Sequence, residues 1–236
     1  MLDRLGESFS RLTQFSSDLS HELRTPINNL MGEAQVALSR ARTADQYREV
    51  LESSLEELDR LSRMTENMLF LARTDQPAAG IIRDWIDARR EVEKLAEFYE
   101  IMADESGLHI RCTGNARVFA DLSLMRRAIS NLISNALRHT PRGGDVEVAL
   151  KDETDGSATI AISNAGPGIP AQHLKRIFDR FYQVDTSRER SRDGVGLGLA
   201  IVNSIMRLHG GTVSVSSEPG AHTTFILRFP VPTHST

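Results

Sequence analysis

The sequence predicts an α+β chain: an N-terminal helical hairpin, then a separate domain of helices over a mixed sheet. Three observations carry this. The first 75 residues read as helix with one break, its first apolar run in alternating steps of three and four, a heptad pattern. After Gly80, helical patterns alternate with short runs of period two. Between them, Thr74-Asp-Gln-Pro-Ala-Ala-Gly80 has the composition of a linker. The expected division is a hairpin at residues 1–75, a linker at 76–83 and a second domain at 84–232.

Composition narrows the function classes. The 236 residues are 40% hydrophobic and 25% charged, a soluble globular balance that suits one large domain or two ordinary ones. Twenty-eight basic against thirty-two acidic residues leave a formal charge of −4, so no basic field supports nucleic-acid binding. The single cysteine, Cys112, rules out an internal disulfide framework and reads as a buried strand residue in His109-Ile-Arg-Cys-Thr113. No apolar run approaches a membrane span, and no signal peptide is visible. The amphipathic start at Met1 reads as a cut inside a longer protein. The expectation is a soluble, cytoplasmic fragment of a membrane-anchored parent.

The elements follow in order. The first seam contains Leu5, Phe9, Leu12, Leu19, Leu23 and Leu30, with Ser16 and Pro26 at two further seam positions. A second periodic run contains Val50, Leu51, Leu55, Leu58, Leu61, Met64, Met68, Leu69 and Leu71. Between them, residues 40–46 lack the pattern and offer Thr43 or Asp45 as a helix cap. Two narrow apolar stripes on one hairpin are hard to bury alone; a four-helix bundle made by two chains buries them. In the second domain the patterns predict helices at 87–106, 122–139 and 195–209. Strands are predicted at 109–113, 116–120, 145–151, 158–163, 212–216 and 224–229, with those at 145–151 and 158–163 alternating like antiparallel neighbours.

Candidate chemistry begins at Ser20-His21-Glu22-Leu23-Arg24-Thr25-Pro26. With Leu19 and Leu23 in the seam, His21 faces solvent. A neutral imidazole is a competent nucleophile toward a phosphoryl group. Glu22 is placed to hold or deprotonate its other nitrogen, Thr25 lies one turn along the same face, and Pro26 is expected to loosen the helix. A surface histidine of ordinary pKa is the competing reading. A second cluster is Asn131-Leu-Ile-Ser-Asn135-Ala-Leu-Arg138-His139. Asn131 and Asn135 share a helix face, and amide oxygens suit Mg²⁺, with Asn135 the candidate ligand; polar residues on a solvated face are the plainer alternative. Arg138 is a candidate phosphate contact, and His139 a candidate for stacking near a base or donating to phosphate. Two glycine clusters complete the set: Asn164-Ala-Gly166-Pro-Gly168-Ile169, and Gly194-Val-Gly196-Leu-Gly198-Leu199 leading into a helix, where backbone N–H groups can cradle phosphates. The latter lacks the βαβ unit of a dinucleotide site, and no P-loop occurs.

His21-Glu-Leu-Arg-Thr-Pro26 resembles, letter for letter, the phosphoacceptor box of the sensor histidine kinases. The order of asparagine helix, Gly-x-Gly, Phe178-Asp-Arg-Phe181 and Gly-x-Gly-x-Gly resembles their N, G1, F and G2 boxes, in the ATPase family shared with Hsp90-type chaperones, type II topoisomerases and mismatch-repair ATPases. The resemblance covers about Phe15 to Phe229. It implies a dimeric phosphoacceptor hairpin followed by an α/β sandwich binding ATP and Mg²⁺ beneath a mobile lid near 183–193, which carries Arg188, Arg190 and Arg192. Phe178 and Phe181 read as packing under that lid. It also implies that His21 accepts the phosphoryl group, Glu22 assists as base, and Thr25 positions water for dephosphorylating a response regulator, whose aspartate otherwise receives the phosphoryl group. Two positions depart from the family pattern. Asn164 stands where the adenine-binding aspartate is usual, a trait similar to copper and heavy-metal sensor kinases. His222 stands where a glycine usually precedes Thr223, itself a candidate adenine contact. A dimeric scaffold that binds nucleotide weakly is the alternative reading, and an ATPase using water as acceptor a more distant one.

Overall fold

The computed structural model describes residue 20 and residues 23–74, 80–184 and 195–231. The chain divides into two compact units, Met1–Leu69 and Phe70–Thr236.

The first unit is built from helix α1, residues 23–38, and all but the last five residues of helix α2, Ala44–Thr74. The chain turns between them because its backbone groups find side-chain partners. Ser39 Oγ and Arg42 Nη2 both donate to the Val36 carbonyl, at 2.9 and 3.1 Å. Thr43 Oγ1 accepts from Gln46 N at 3.3 Å while Gln46 Oε1 accepts from Thr43 N at 3.2 Å. That reciprocal pair is a capping box, so Thr43, not Asp45, caps α2. Helix α1 runs unbroken through Pro26, so the expected loosening there is absent from the described helix. Ser53 Oγ donates to Glu33 Oε2 at 3.2 Å across the hairpin. Leu51 and Leu55 remain 63% and 65% exposed.

The second unit runs β1 (Asp84–Asp87), α3 (Ala88–Glu105), β2 (His109–Asn115), β3 (Arg117–Ala120), α4 (Leu122–His139), β4 (Asp145–Asp152), β5 (Ala158–Ala165), α5 (Ala171–Leu174), α6 (Gly198–Leu208), β6 (Thr212–Ser217) and β7 (His222–Phe229). Five strands form a mixed sheet in the order β2-β4-β5-β7-β6. The β2–β4 pair is parallel and the others are antiparallel. The alternation read from sequence assigns the faces. Val146, Val148, Leu150, Ile160, Ile162, Phe225, Leu227 and Phe229 point to one face and are buried. They are covered by the apolar stripes of α4 (Met125, Ile129, Leu132, Ile133) and α6 (Ile201, Val202, Ile205, Met206). With helices on one side only, the unit is a two-layer α/β sandwich, as expected.

Several expectations are corrected. The run at 116–120 is β3, yet it pairs with β1 as a separate two-stranded ribbon rather than joining the main sheet. The helix expected from 195 begins at Gly198, because Gly196 takes a positive φ of 71° that no right-handed helix accommodates. Cys112 is only half-buried on β2; burial still pushes its thiol up, which keeps it protonated and unreactive near neutrality.

Two polar clusters tie the helices together. Glu91 of α3 is buried and receives Lys94 Nζ at 2.7 Å and Arg126 Nε of α4 at 2.6 Å. Burial pushes its carboxyl up, but the hydrogen bonds and charges of Lys94 and Arg126 outweigh this and hold it below the usual range. His209, just past α6, is also buried. Its Nε2 accepts from Asp121 N at 2.9 Å, and its Nδ1 lies 2.8 Å from the Ile205 carbonyl. That pairing demands the neutral tautomer with hydrogen on Nδ1. Burial pushes its pKa down, in keeping with that state. Asp121 also caps α4 by accepting from Leu124 N, so His209 anchors the start of the asparagine helix.

Candidate functional site

The asparagine helix and the last glycine cluster meet directly. Asn131 Nδ2 turns back to donate to the Arg127 carbonyl at 2.9 Å, which leaves Oδ1 facing α6. A Cβ on Gly198 would come within 3.3 Å of that oxygen. Helix α6 starts there with Leu197 at its N-cap and no side-chain hydrogen bond to the first turn. Its leading N–H groups are therefore available to an anion, and Leu199 lies in that turn. The side chain of Asn135, one turn beyond Asn131, makes no hydrogen bond among the described residues. Arg138 and His139 close α4 with exposed side chains.

The middle glycine cluster is held against the same helix. A Cβ on Gly166 would sit 2.7 Å from the His139 carbonyl, so only glycine lets this loop approach the end of α4 so closely. Gly168, at φ 73°, packs where a Cβ would meet the Glu218 carbonyl at 2.4 Å, which fastens the loop to the β6–β7 turn. Ile169 N then donates to Ser217 Oγ at 2.8 Å.

A polar row crosses the sheet at this end. Asn164 on β5 is in register with Thr223 on β7, which is in register with Ser217 on β6. Asn164 and Thr223 are buried at the rim of the apolar face. Thr223 Oγ1 and Ser217 Oγ are 2.7 Å apart. Ser217 thus joins the loop at Ile169 to Thr223, a role the sequence reading missed. Its signal was the period-two spacing from Val213 and Val215, which puts its hydroxyl on the core face. His222 has an ordinary backbone conformation in β7, so its presence in place of glycine introduces no strain.

The Phe178–Phe181 segment is structural, as the sequence suggested. Phe178 stacks edge-on against Phe225 with ring centroids 6.4 Å apart. Phe181 sits at φ 60°, the one positive φ of a non-glycine residue among those described. Its N–H donates to the Gly196 carbonyl at 3.0 Å, and a Cβ on Gly196 would lie 2.7 Å from Phe181 C. The two ends of the segment between them are therefore clasped. Gly194, Arg188, Arg190 and Arg192 lie outside the described residues, as do His21 and Glu22 of the phosphoacceptor segment. Thr25 is exposed on α1.

Helix α4 thus carries two groups: Asn131 beside Gly198, and at its C-terminal end the loop of Gly166, Gly168 and Ile169 next to Asn164 and Thr223. The set fits a nucleoside triphosphate: an uncapped helix terminus for phosphate, side-chain oxygens for a hard cation, and glycines where a Cβ would close the approach. Among the described residues no helix is long and apolar enough to cross a membrane, and no cluster of His, Cys, Asp and Glu has the makings of a metal site.

Comparison with known proteins decides the family. Residues 120–233 match the "Histidine kinase-, DNA gyrase B-, and HSP90-like ATPase" family, and residues 11–77 match the "His Kinase A (phospho-acceptor) domain". The chain belongs to the sensor histidine kinases. It is 54% identical over 230 residues to the sensor protein IrlS of Burkholderia pseudomallei, covering 98% of this chain and 49% of that protein. It is 44% identical over 231 residues to the sensor protein CzcS of Cupriavidus metallidurans, covering 98% and 48%. The sensor histidine kinase CusS of Escherichia coli is 41% identical, with the same coverage. The chain thus spans about half the length of these relatives. Among solved structures, the histidine kinase AdeS of Acinetobacter baumannii superposes with a TM-score of 0.72 at 22% identity, covering 90% of this chain and 98% of that one. The histidine kinase ThkA, in complex with the response regulator TrrA, superposes at 0.79 and 19% identity, covering 98% and 65%. These two likenesses concern the fold. In chain order, the first matched segment of this histidine kinase contains helices α1 and α2, and the second runs from helix α4 through strand β7.

Proposed function

We propose that this histidine kinase transfers the γ-phosphoryl group of ATP to His21 and then to an aspartate of a response regulator. The observation that carries the reading is that helix α4 holds Asn131 beside the uncapped start of α6 and packs its C-terminal end on the Gly166–Ile169 loop. ATP supplies the phosphoryl donor, and Mg²⁺ neutralises the charge that builds up on the transferred group. Within this reading, Asn131 and Asn135 present oxygens to the cation, with Asn135 the direct ligand. The first-turn N–H groups of α6, from Gly198 and Leu199 with Gly196 and Gly194 before them, hold phosphate oxygens. Arg138 and His139 add donors at the other end of the phosphate chain. Asn164, Thr223 and the Gly166–Gly168 turn receive the adenine, and Ile169 closes over it.

On the hairpin, His21 offers a ring nitrogen to phosphorus while Glu22 holds the proton on the other nitrogen. Thr25, one turn on, orients water when the same surface dephosphorylates the regulator. Two chains pair through residues 1–75, supported by the exposed leucines of α2 and the phosphoacceptor-domain match. The chain is read as the cytoplasmic part of a membrane-anchored sensor, a reading supported by relatives about twice its length.

The test is incubation with γ-labelled ATP and Mg²⁺. Acid-labile, alkali-stable label is expected on the chain and absent from the His21→Ala variant. Abundant label on His21→Ala would overturn the acceptor assignment.

A further inference from the structure

We propose that the free edge of β2, in the groove it forms with α3, receives an extended segment of a partner protein that carries basic residues at alternate positions. This goes beyond the nucleotide reading and does not rest on it, since β4 separates β2 from the strands that hold Asn164 and Thr223.

Strand β2 is an outer strand of the five-stranded sheet and pairs on one side only, with β4. His109 N donates to the Gly144 carbonyl at 3.2 Å on that side, and the main-chain groups of successive strand residues turn to alternate sides. Ile110, Cys112 and Gly114 therefore direct theirs outward. Arg89 of α3 closes part of this edge. Its Nη1 donates to the Cys112 carbonyl at 2.9 Å and to the Gly114 carbonyl at 3.2 Å, while Glu93 accepts from its Nε. The N–H and carbonyl of Ile110 and the N–H of Cys112 have no hydrogen-bond partner among the described residues. Unpaired main-chain groups on a sheet edge are a template for another strand. Here Arg89 confines that template to the start of β2.

The groove beside this edge has a volume of about 400 Å³. Ile110 and Cys112 are in register with the buried Val146 and Val148, so their side chains lie on the helix-covered face, and α3 walls the groove on that side. Along the wall stand Glu93, Glu97, Glu100 and Asp104, all exposed and spaced to share one helix face. Glu93 is paired with Arg89. Glu97, Glu100 and Asp104 have no basic partner among the described residues.

Charge decides the occupant. A strand added to this edge sets every second side chain toward α3, opposite three unpaired carboxylates, where lysine or arginine is complementary. Arg89 already shows the chemistry at the far end of the groove, bridging a carboxylate of α3 and carbonyls of β2. The same edge of a second copy would bring its own Glu97, Glu100 and Asp104 against these, so like charge opposes self-pairing. A bare cation would leave the N–H groups of Ile110 and Cys112 unanswered.

The experiment is a titration of the whole, isotope-labelled chain with a capped pentapeptide of alternating lysine and threonine, followed by amide NMR shifts. Saturable shifts are expected at Ile110 and Cys112. Glutamate in place of lysine should weaken binding at least about tenfold, because like charges then face each other. The lysine peptide with every amide N-methylated should also bind at least about tenfold more weakly, having lost its main-chain donors. The double variant Glu97→Gln, Glu100→Gln should bind the lysine peptide about three- to tenfold more weakly, the size of two exposed charge pairs. No saturable shift at millimolar peptide overturns the proposal. So does an N-methylated peptide that binds as tightly as its parent, or a double variant with unchanged affinity. Shifts of the same amides that grow with the concentration of the chain alone would assign the edge to a second copy, and shifts produced by Mg²⁺ alone that block the peptide would assign the groove to a cation; either overturns it. If the double variant does not fold, the peptide series on the unmutated chain decides alone.

Discussion

Leucines in the hairpin and leucines in the sheet domain are chemically the same and have opposite surroundings. Leu51, Leu55 and Leu58 of α2 are more than half exposed, whereas Leu132 and Leu227 are sealed off completely. The sheet domain closes a core from its own residues. The hairpin has too few layers to do so and leaves an apolar stripe exposed on α2. Charges repeat the contrast: Arg63 and Asp59 on α2 form a pair about two-thirds exposed, whereas Glu91 between α3 and α4 is buried with two basic partners. One region buries its apolar residues by folding, while the other leaves a stripe that the proposed pairing of two chains would cover.

The largest effect should come from removing that stripe. Replacing Leu51 and Leu55 with Ser deletes four leucines from a two-fold interface, roughly 6–12 kcal/mol of apolar burial. Light scattering should then report monomers, with the melting transition of the second unit unmoved. An intact dimer would place the interface elsewhere. Next, Leu132→Ala should lower the stability of the second unit by about 2–5 kcal/mol, read by chemical denaturation, and leave the association state alone; an effect on dimerisation would erase the contrast. Smaller again, Glu91→Gln should cost about 1–3 kcal/mol near neutral pH, between the figures for buried and exposed pairs because both partners are partly solvated. Since the Glu91 carboxyl is held below its unfolded range, its contribution is fully present above that range and fades as pH falls through the folded value. The difference between Glu91→Gln and parent should therefore shrink in acid. Asp59→Asn, the exposed counterpart, should change stability by no more than about 0.5 kcal/mol at any pH.

Much of this was legible because strong periodicity needs no tertiary context. Helix α4 ends where its apolar pattern ends, at Leu122 and His139, and the Val146–Leu150 and Ala158–Ile162 alternations show up as paired strands. What escaped was structure that depends on a distant neighbour. Strand β1, Asp84-Trp-Ile-Asp87, is four residues with an acid at each end, and it is a strand because β3 pairs with it. Helix α5 is one turn following Pro170, too short to show a period. The start of α6 was placed three residues early because apolar residues around a glycine look helical until the φ of that glycine is known. In the site, residue types were readable from the boxes. The part played by Ser217 was not, because it depends on a contact that only the folded chain brings about.

The clasp between Phe181 and Gly196 sets a boundary on what variation can do. Closing a segment between two residues held within a hydrogen bond of each other adds an entropy cost only as the logarithm of its length. A change in the length of that segment should therefore bear little on the clasp itself. The left-handed Phe181, strained by about 1–3 kcal/mol, marks where that freedom stops. Grafting the intervening stretch from one relative to another should carry its properties with it, provided the glycine that receives Phe181 stays a glycine.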